Sequence, residues 1–342
     1  MLTFNIFYLN LLLFSAENYL FTILLFILCF SVIFKNNNKI LEITFGLIFL
    51  SLILTLLLYL NTDCIAFSSF INLFISNLYI YNLKIFFLIL SLFFISLIYL
   101  QQIHNEYLHS FEYPVLIGYA ILSLLILISS NDFLAFYLTL ELQSLILYIL
   151  ASYNYYRNYS AESGMKYFIL GAVSSGILLF GISIIYGLTG ITNFNDLVLL
   201  NFYFNLFFES YQVSIVAAIF MVLIGILFKL GAAPFHLWVP DVYEGAPLRT
   251  TAFFAVMPKV ILGGFLIRLL FLLAHHSIFF ELLTIFGFFS VIFGSFGALA
   301  QMKLKRLVAF SAINHVGFVI LGVSCGTFTG FFSSLSYLFI VY

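Results

Sequence analysis

The sequence predicts an all-α, polytopic membrane protein, and three observations carry that prediction. Of its 342 residues, 64% are hydrophobic and only 7% are charged, against roughly 25% charged in an ordinary soluble domain. The mean hydropathy is +1.20, too apolar for a fold that must cover itself in water. Hydrophobic runs of about 18 residues or more, almost free of charge, also tile the chain nearly end to end, and each reads as a membrane-spanning helix.

Composition excludes several classes of function. A net charge of -1 offers no basic face for nucleic acid. Cys29, Cys64 and Cys325 lie far apart without CxxC spacing, so they read as ordinary buried thiols and not as cluster or zinc ligands. No Walker loop or dinucleotide fingerprint follows a plausible strand, so the chain should bind neither nucleotide nor flavin. Residues 1–34 lack the basic region and small-residue site of a cleavable signal, which leaves insertion to the chain's own helices. The wealth of Phe (46) and Tyr (22) beside few Pro (5) and one Trp fits an AT-rich organellar gene.

Cutting the chain at polar and turn-like clusters gives about eleven helices, at roughly 18–34, 40–60, 80–100, 114–130, 133–153, 163–187, 211–230, 248–273, 278–299, 304–323 and 328–342. Residues 4–14 read as a short interfacial piece. Lys35, Lys39, Arg157, Lys303, Lys305 and Arg306 fall in loops on one side, whereas Lys84 and Arg268 sit near helix ends on the other. Positive loops face the inner compartment, which puts the N-terminus outside. The linker QQIHNEYLHSFEY holds His104, Glu106, His109 and Glu112 without regular ligand spacing, so a solvated inner loop explains it better than a metal site. Gly190 to Glu209, and His275 and His276 before Glu281, read as wet loops too.

Charges inside the apolar runs are the functional signal, because each costs about 2.5–3.5 kcal/mol at the bilayer centre on insertion scales and usually marks a pathway or a buried partner. Glu141 lies in AFYLTLELQSLILYIL, Lys229 in FMVLIGILFKLGAAPFHLW, Lys259 in FFAVMPKVILGG and Lys166 in GMKYFILGAVSSG. A carboxylate and an ammonium that approach and separate exchange protons, because each shifts the other's proton affinity. A static pair pinning helices is the plainer alternative.

Lys229 has the most telling surroundings. Pro234 lacks an N–H and clashes with the carbonyl four residues back, so the helix should break near 230–234, with Gly231, Ala232 and Ala233 leaving room for water. Pro258 should loosen the ladder beside Lys259 in the same way. Lys166 follows Glu162 by one turn, so an i,i+4 surface pair competes with a buried role. His236 after the break and His315 in FSAINHVGFVILG are secondary relay candidates, each also readable as a satisfied structural histidine. Gly171, Gly176 and Gly181 with Ser174 and Ser175 read as a helix-packing stripe.

The runs LELQSLILYILASY, GMKYFILGAVSSGILLFGISIIYGLTG, LFKLGAAPFHLWVPDVYEGAP and KRLVAFSAINHVGFVILG resemble the antiporter-like membrane-arm subunits of respiratory complex I (NADH:ubiquinone oxidoreductase), subunit 2 in particular. The resemblance covers the chain from about residue 114 onward, and before residue 100 only hydropathy matches. It implies an antiporter-like fold with N-terminal helices over 1–113, a first repeat with its broken helix over 114–273, and an incomplete inverted second repeat over 274–342. Glu141, Lys229, Lys259 and Lys166 then match the family's buried glutamate and lysines, which pass protons through water. NADH, FMN, iron–sulfur clusters and ubiquinone would belong to other subunits. Other membrane-arm subunits and lipids would be the partners, and the mitochondrial inner membrane the location, with the N-terminus toward the intermembrane space.

Two departures stand beside the resemblance. Pro258 is not expected next to Lys259, and Val341 and Tyr342 fall inside what resembles the eleventh of fourteen helices. The expectation is a companion chain supplying the remaining helices, with a shortened subunit covered by unrelated proteins as the alternative. A stand-alone cation/proton antiporter and a pump-dead scaffold of the membrane arm are the competing functions.

Overall fold

With no water to bond the backbone inside a bilayer, runs of Leu, Ile and Phe satisfy their own N–H and C=O groups by coiling into helices. A computed structural model describes residues 15–33, 40–61, 67–69, 73–104, 112–154, 156–197, 209–272 and 277–342. In chain order its helices are α1 Ser15–Ile33, α2 Ile40–Asn61, α3 Leu78–His104, α4 Glu112–Ser129, α5 Phe133–Ala151, α6 Asn158–Thr189, α7 Glu209–Leu230, α8 Trp238–Gly245, α9 Leu248–Leu272, α10 Ser277–Leu299, α11 Leu304–Ser324 and α12 Phe328–Val341. Among the described residues ten helices are long and apolar enough to cross a membrane, and α12 is a shorter apolar helix. The helix ends match the sequence expectation to within a few residues, except that α6 begins earlier, at Asn158.

Outward faces are as apolar as inward ones. Phe26, Leu57, Phe93, Leu138, Val173 and Phe296 are exposed, a pattern at home against lipid acyl chains and not in water. Polar side chains within helices turn inward on their own backbone. Ser51, Thr55, Ser91, Ser123 and Ser174 each donate to the carbonyl three residues before, at 2.7–2.8 Å, which removes a loose hydroxyl from a dry setting. Asp132 caps α5, its Oδ1 accepting the Leu134 N–H at 2.8 Å.

The chain divides into two units, Met1–Ile146 and Leu147–Tyr342, which part within α5. In the first unit α1, α2 and α3 pack in sequence and each also touches α4, the most enclosed of the four, with 78% of it buried. The sequence reading missed a two-stranded antiparallel ladder, β1 Phe67–Ser69 with β2 Phe74–Ser76, registered Phe67 to Ser76 and Ser69 to Phe74. Three residues per strand are too few to show a period. The 4–14 piece, Cys64, Glu106, His109, His275 and His276 lie outside the described residues.

A buried ion pair, which the sequence reading did not foresee, ties the first three helices together. Lys84 was placed as a charge near a helix end, yet its side chain is 6% exposed and forms an ion pair with Glu17, itself 2% exposed. The Tyr59 hydroxyl donates to the same Glu17 oxygen, the Tyr81 hydroxyl donates to the Tyr59 carbonyl, and the Lys84 ammonium lies 5.6 Å from the Tyr59 ring centroid. Hydropathy alone hides such a pair, because two charges 67 residues apart are averaged away in separate apolar windows. In the second unit α6 packs along α7, α10 along α11, and α8 rests against α6, α9 and α11. Helix α9, with 83% of it buried, is the centre of that unit. Cys29, on α1, and Cys325, in the turn after α11, are exposed, contrary to the expected buried thiols.

Removing one partner of a buried pair leaves the other charge uncompensated, so Glu17→Gln or Lys84→Met alone should cost about 3–5 kcal/mol. The double variant should recover most of that loss. Thermal unfolding of the purified protein in detergent measures both, and equal losses in single and double variants would show that the pair does not tie the helices.

Candidate functional site: buried lysines around a broken helix

Helix α7 carries Lys229 one residue before its end. Gly231 adopts the left-handed conformation (φ 78°), its N–H bonds to the Phe228 carbonyl at 3.0 Å, and the Ala232 N–H bonds to the Leu227 carbonyl at 3.0 Å. This pair of bonds is the Schellman termination, which only glycine enters without strain. The break is therefore set at Gly231, upstream of the proline that the sequence reading held responsible; Pro234 follows through a cis peptide bond. Trp238 at the start of α8 donates its indole N–H to Phe228 O at 2.9 Å, satisfying a carbonyl freed by the break. Nor is there open space at Gly231–Ala233: Ala232 and Ala233 are fully buried, and Val239 Cγ2 stands 2.6 Å from where a Gly231 Cβ would be.

The Lys229 side chain is buried and donates to the Tyr148 hydroxyl at 3.3 Å, with its ammonium 5.5 Å from the Tyr148 ring centroid. Tyr148 comes from α5 and meets Tyr167 of α6 edge to face at 4.8 Å. Tyr167 in turn stacks on Trp238 at 4.5 Å. The hydroxyl of Tyr148 occupies the surface of Gly171, one turn beyond Tyr167, where an added Cβ would lie 1.9 Å from it. Gly171 and Gly181 thus permit close approach as the stripe suggested, whereas Gly176 meets nothing within 4 Å.

Lys259, on the continuous helix α9 just after Pro258, is 2% exposed. Its ammonium has no hydrogen-bond partner among the described residues and lies 5.7 Å from the ring centroid of Tyr243 on α8. Tyr243 is fully buried, and its hydroxyl also lacks a hydrogen-bond partner among the described residues. His315 on α11 joins through Nδ1 to the Tyr337 hydroxyl at 2.9 Å. His236 stacks on Phe293 at 5.6 Å.

Glu141, in the first unit, accepts a hydrogen bond on Oε2 from Ser144 at 3.4 Å, while its Oε1 is buried without a partner among the described residues. Lys166 is placed apart from the buried lysines. It is 46% exposed and bonds to Glu162 at 2.8 Å and Asp241 at 3.1 Å, the surface-pair alternative.

Those residues border a recess of about 190 Å³ shared by Asp241, Glu244, Lys303 and Arg306. Glu244 pairs with both Lys303 and Arg306, and Lys305 donates to Ala246 O at 2.6 Å, a cation set at the C-terminal carbonyls of α8. Hydrogen bonding from Lys303, helped by the Arg306 charge and opposed by burial, holds the Glu244 carboxyl below its usual range.

The sequence reading did not single out Tyr148, Tyr167, Tyr243 or Tyr337. With 22 tyrosines in the chain, residue type carries no signal; the usable hint was Tyr167 four residues before Gly171.

These features define a class: a multi-pass membrane protein whose interrupted helix presents a buried lysine, with a second buried lysine on the next long helix. The sequence profile described as NADH:quinone oxidoreductase/Mrp antiporter, transmembrane, matches residues 130–342. The chain belongs to that family. It is 44% identical over 239 residues to NADH-quinone oxidoreductase subunit N of Paramagnetospirillum magneticum, covering 67% of this chain and 47% of that protein. It is equally 44% identical over 241 residues to NADH-ubiquinone oxidoreductase chain 2 of Marchantia polymorpha, covering 68% and 48%. The chain thus spans about half the length of the curated relatives it matches. A chain in the structure of respiratory complex I from Thermus thermophilus with bound aureothin superposes with TM-score 0.76 at 27% identity, over 94% of this chain and 67% of that one. The Mrp complex from Dietzia sp. DQ12-45-1b shares the fold at TM-score 0.76 and 17% identity, over 95% and 61%.

Gly231→Ala should destabilise the protein by at least about 1–2 kcal/mol, from the left-handed backbone alone, with the Val239 clash in addition; thermal unfolding in detergent measures it. Because the Glu244 carboxyl is held below its usual range, its contribution is complete above the unfolded value of about 4.3 and is lost as the pH falls through the lowered one. Hydrogen-exchange protection of α8 should fall over that acid range, and in Glu244→Gln this acid-dependent step should be absent.

Proposed function

We propose that this chain is a proton-translocating membrane-arm subunit of respiratory NADH:quinone oxidoreductase, of the subunit N or chain 2 type. The observation that carries the reading is the pair of buried lysines, Lys229 one residue before a helix break and Lys259 with no hydrogen-bond partner among the described residues. A dry, fully enclosed ammonium is costly as a permanent charge, which makes it suited to gaining and losing a proton. Glu141 is the carboxylate of the relay, its Oε1 buried and unpartnered among the described residues. His315, bonded to Tyr337, and His236 at the break are secondary carriers, since a neutral imidazole both donates and accepts. Lys166 belongs to the surface network, where it anchors α8 to α6.

Oxidation of NADH and reduction of quinone belong to other subunits. Its partners are the other membrane-arm subunits and lipid. In a mitochondrion the surface that carries Lys303, Lys305 and Arg306 faces the matrix, and the N-terminus the intermembrane space.

The test uses the assembled complex in closed membrane vesicles, with NADH-driven acidification as the readout. Lys229→Ala, Lys259→Ala and Glu141→Gln should each lower proton pumping by on the order of tenfold, equivalent to about 1.4 kcal/mol of barrier, while the chain still assembles. Lys166→Ala should leave pumping within about twofold, as expected for an exposed ion pair. Normal pumping in all three buried-site variants would leave only the scaffold function.

A further inference from the structure

The proton relay proposed above uses lysines, a glutamate and histidines, yet a tyrosine is packed against each of the two buried ammoniums. Tyr148 accepts from Lys229 at 3.3 Å, and the ring of Tyr243 faces Lys259 at 5.7 Å. Between them Tyr167 meets Tyr148 edge to face at 4.8 Å and stacks at 4.5 Å on Trp238, which lies on the same short helix as Tyr243. All three side chains are buried.

We propose that Tyr148 is the relay hydroxyl that takes the proton of Lys229 directly and that Tyr243 serves Lys259 through an intervening water, with Tyr167 as the positioning residue between them, an inference that rests on the proposed pumping function. Packing alone does not account for the hydroxyls. Phenylalanine would fill the same ring space at Tyr243 without burying an oxygen that has no hydrogen-bond partner among the described residues. At Tyr148 the hydroxyl requires a bare glycine opposite, since a Cβ on Gly171 would stand 1.9 Å from it. Two positions on separate helices are thus matched to one oxygen atom, and that oxygen is bonded to the lysine.

The chemistry is a proton exchange without change of oxidation state. A hydroxyl has one proton to donate and lone pairs to accept another. When the Lys229 ammonium gives its proton to Tyr148 Oη, the phenol passes its own proton to a water molecule of the conduction path and remains neutral, and Lys229 is left as the free amine. The aromatic faces meanwhile stabilise each lysine in its charged form.

The experiment uses the assembled complex in closed vesicles driven by NADH. Tyr148→Phe and Tyr243→Phe should each reduce proton pumping by about tenfold, equivalent to about 1.4 kcal/mol of barrier. Gly171→Ala should reproduce the Tyr148→Phe defect by displacing the hydroxyl, and the double variant should be no worse than Tyr148→Phe alone. Site-specific 3-fluorotyrosine at position 148, nearly unchanged in shape but more acidic, should alter the solvent deuterium isotope effect on pumping, which a packing role would not. Unaltered pumping in both phenylalanine variants, with Lys229→Ala still defective, would overturn the relay hydroxyls and leave the pumping function standing. Normal pumping in Lys229→Ala as well would overturn both. Should a phenylalanine variant fail to assemble, an unchanged isotope effect with the fluorinated residue would overturn the proposal.

Discussion

A polar group withdrawn from water must find its partner within the protein, and in a chain that is 7% charged this demand falls on very few residues. Much of the second unit's detail answers it. Where α7 stops, the Phe228 carbonyl is taken up by the Gly231 N–H and the Trp238 indole. Where α8 stops, Lys305 supplies its ammonium to the Ala246 carbonyl. Serines and threonines along the helices bond backward to their own backbone, leaving the helix surfaces apolar for lipid.

Charge is handled in two different ways. In the first unit Glu17 and Lys84 are paired, and two tyrosine hydroxyls complete the cluster. That arrangement is neutral in sum and holds three helices at one point. In the second unit Lys229 and Lys259 have aromatic neighbours, a phenol oxygen in one case and a ring face in the other. Lys259 has no hydrogen-bond partner among the described residues, and a phenol beside an ammonium permits both the charged and the neutral amine. The contrast separates a clamp from a site suited to proton exchange. The family profile begins at residue 130, after the clamp, and includes the break and both lysines.

The break itself shows how local chemistry and packing divide the work. Glycine allows the left-handed turn, but the chain is held there because Val239 and Trp238 of α8 close over it. Helix α8 is in turn held by the ion pairs of Asp241 and Glu244 with Arg306 and Lys303. The surface network therefore bears on the buried lysine through a single short helix.

By itself the sequence determined the class of fold, the approximate span of each helix and the positions of Glu141, Lys229 and Lys259, because hydropathy and an out-of-place charge are properties of short windows. It also determined that a helix would be interrupted between Lys229 and Trp238. Tertiary structure alone decided which residue sets the break, that Glu17 and Lys84 meet across 67 positions, that Lys166 turns to the surface, and which of 22 tyrosines stand beside the lysines. Each of those depends on which helix faces which, and in helices apolar on every side no periodic pattern in the sequence records the facing. Contacts between distant residues, set by the fit of side chain to side chain, supplied the rest.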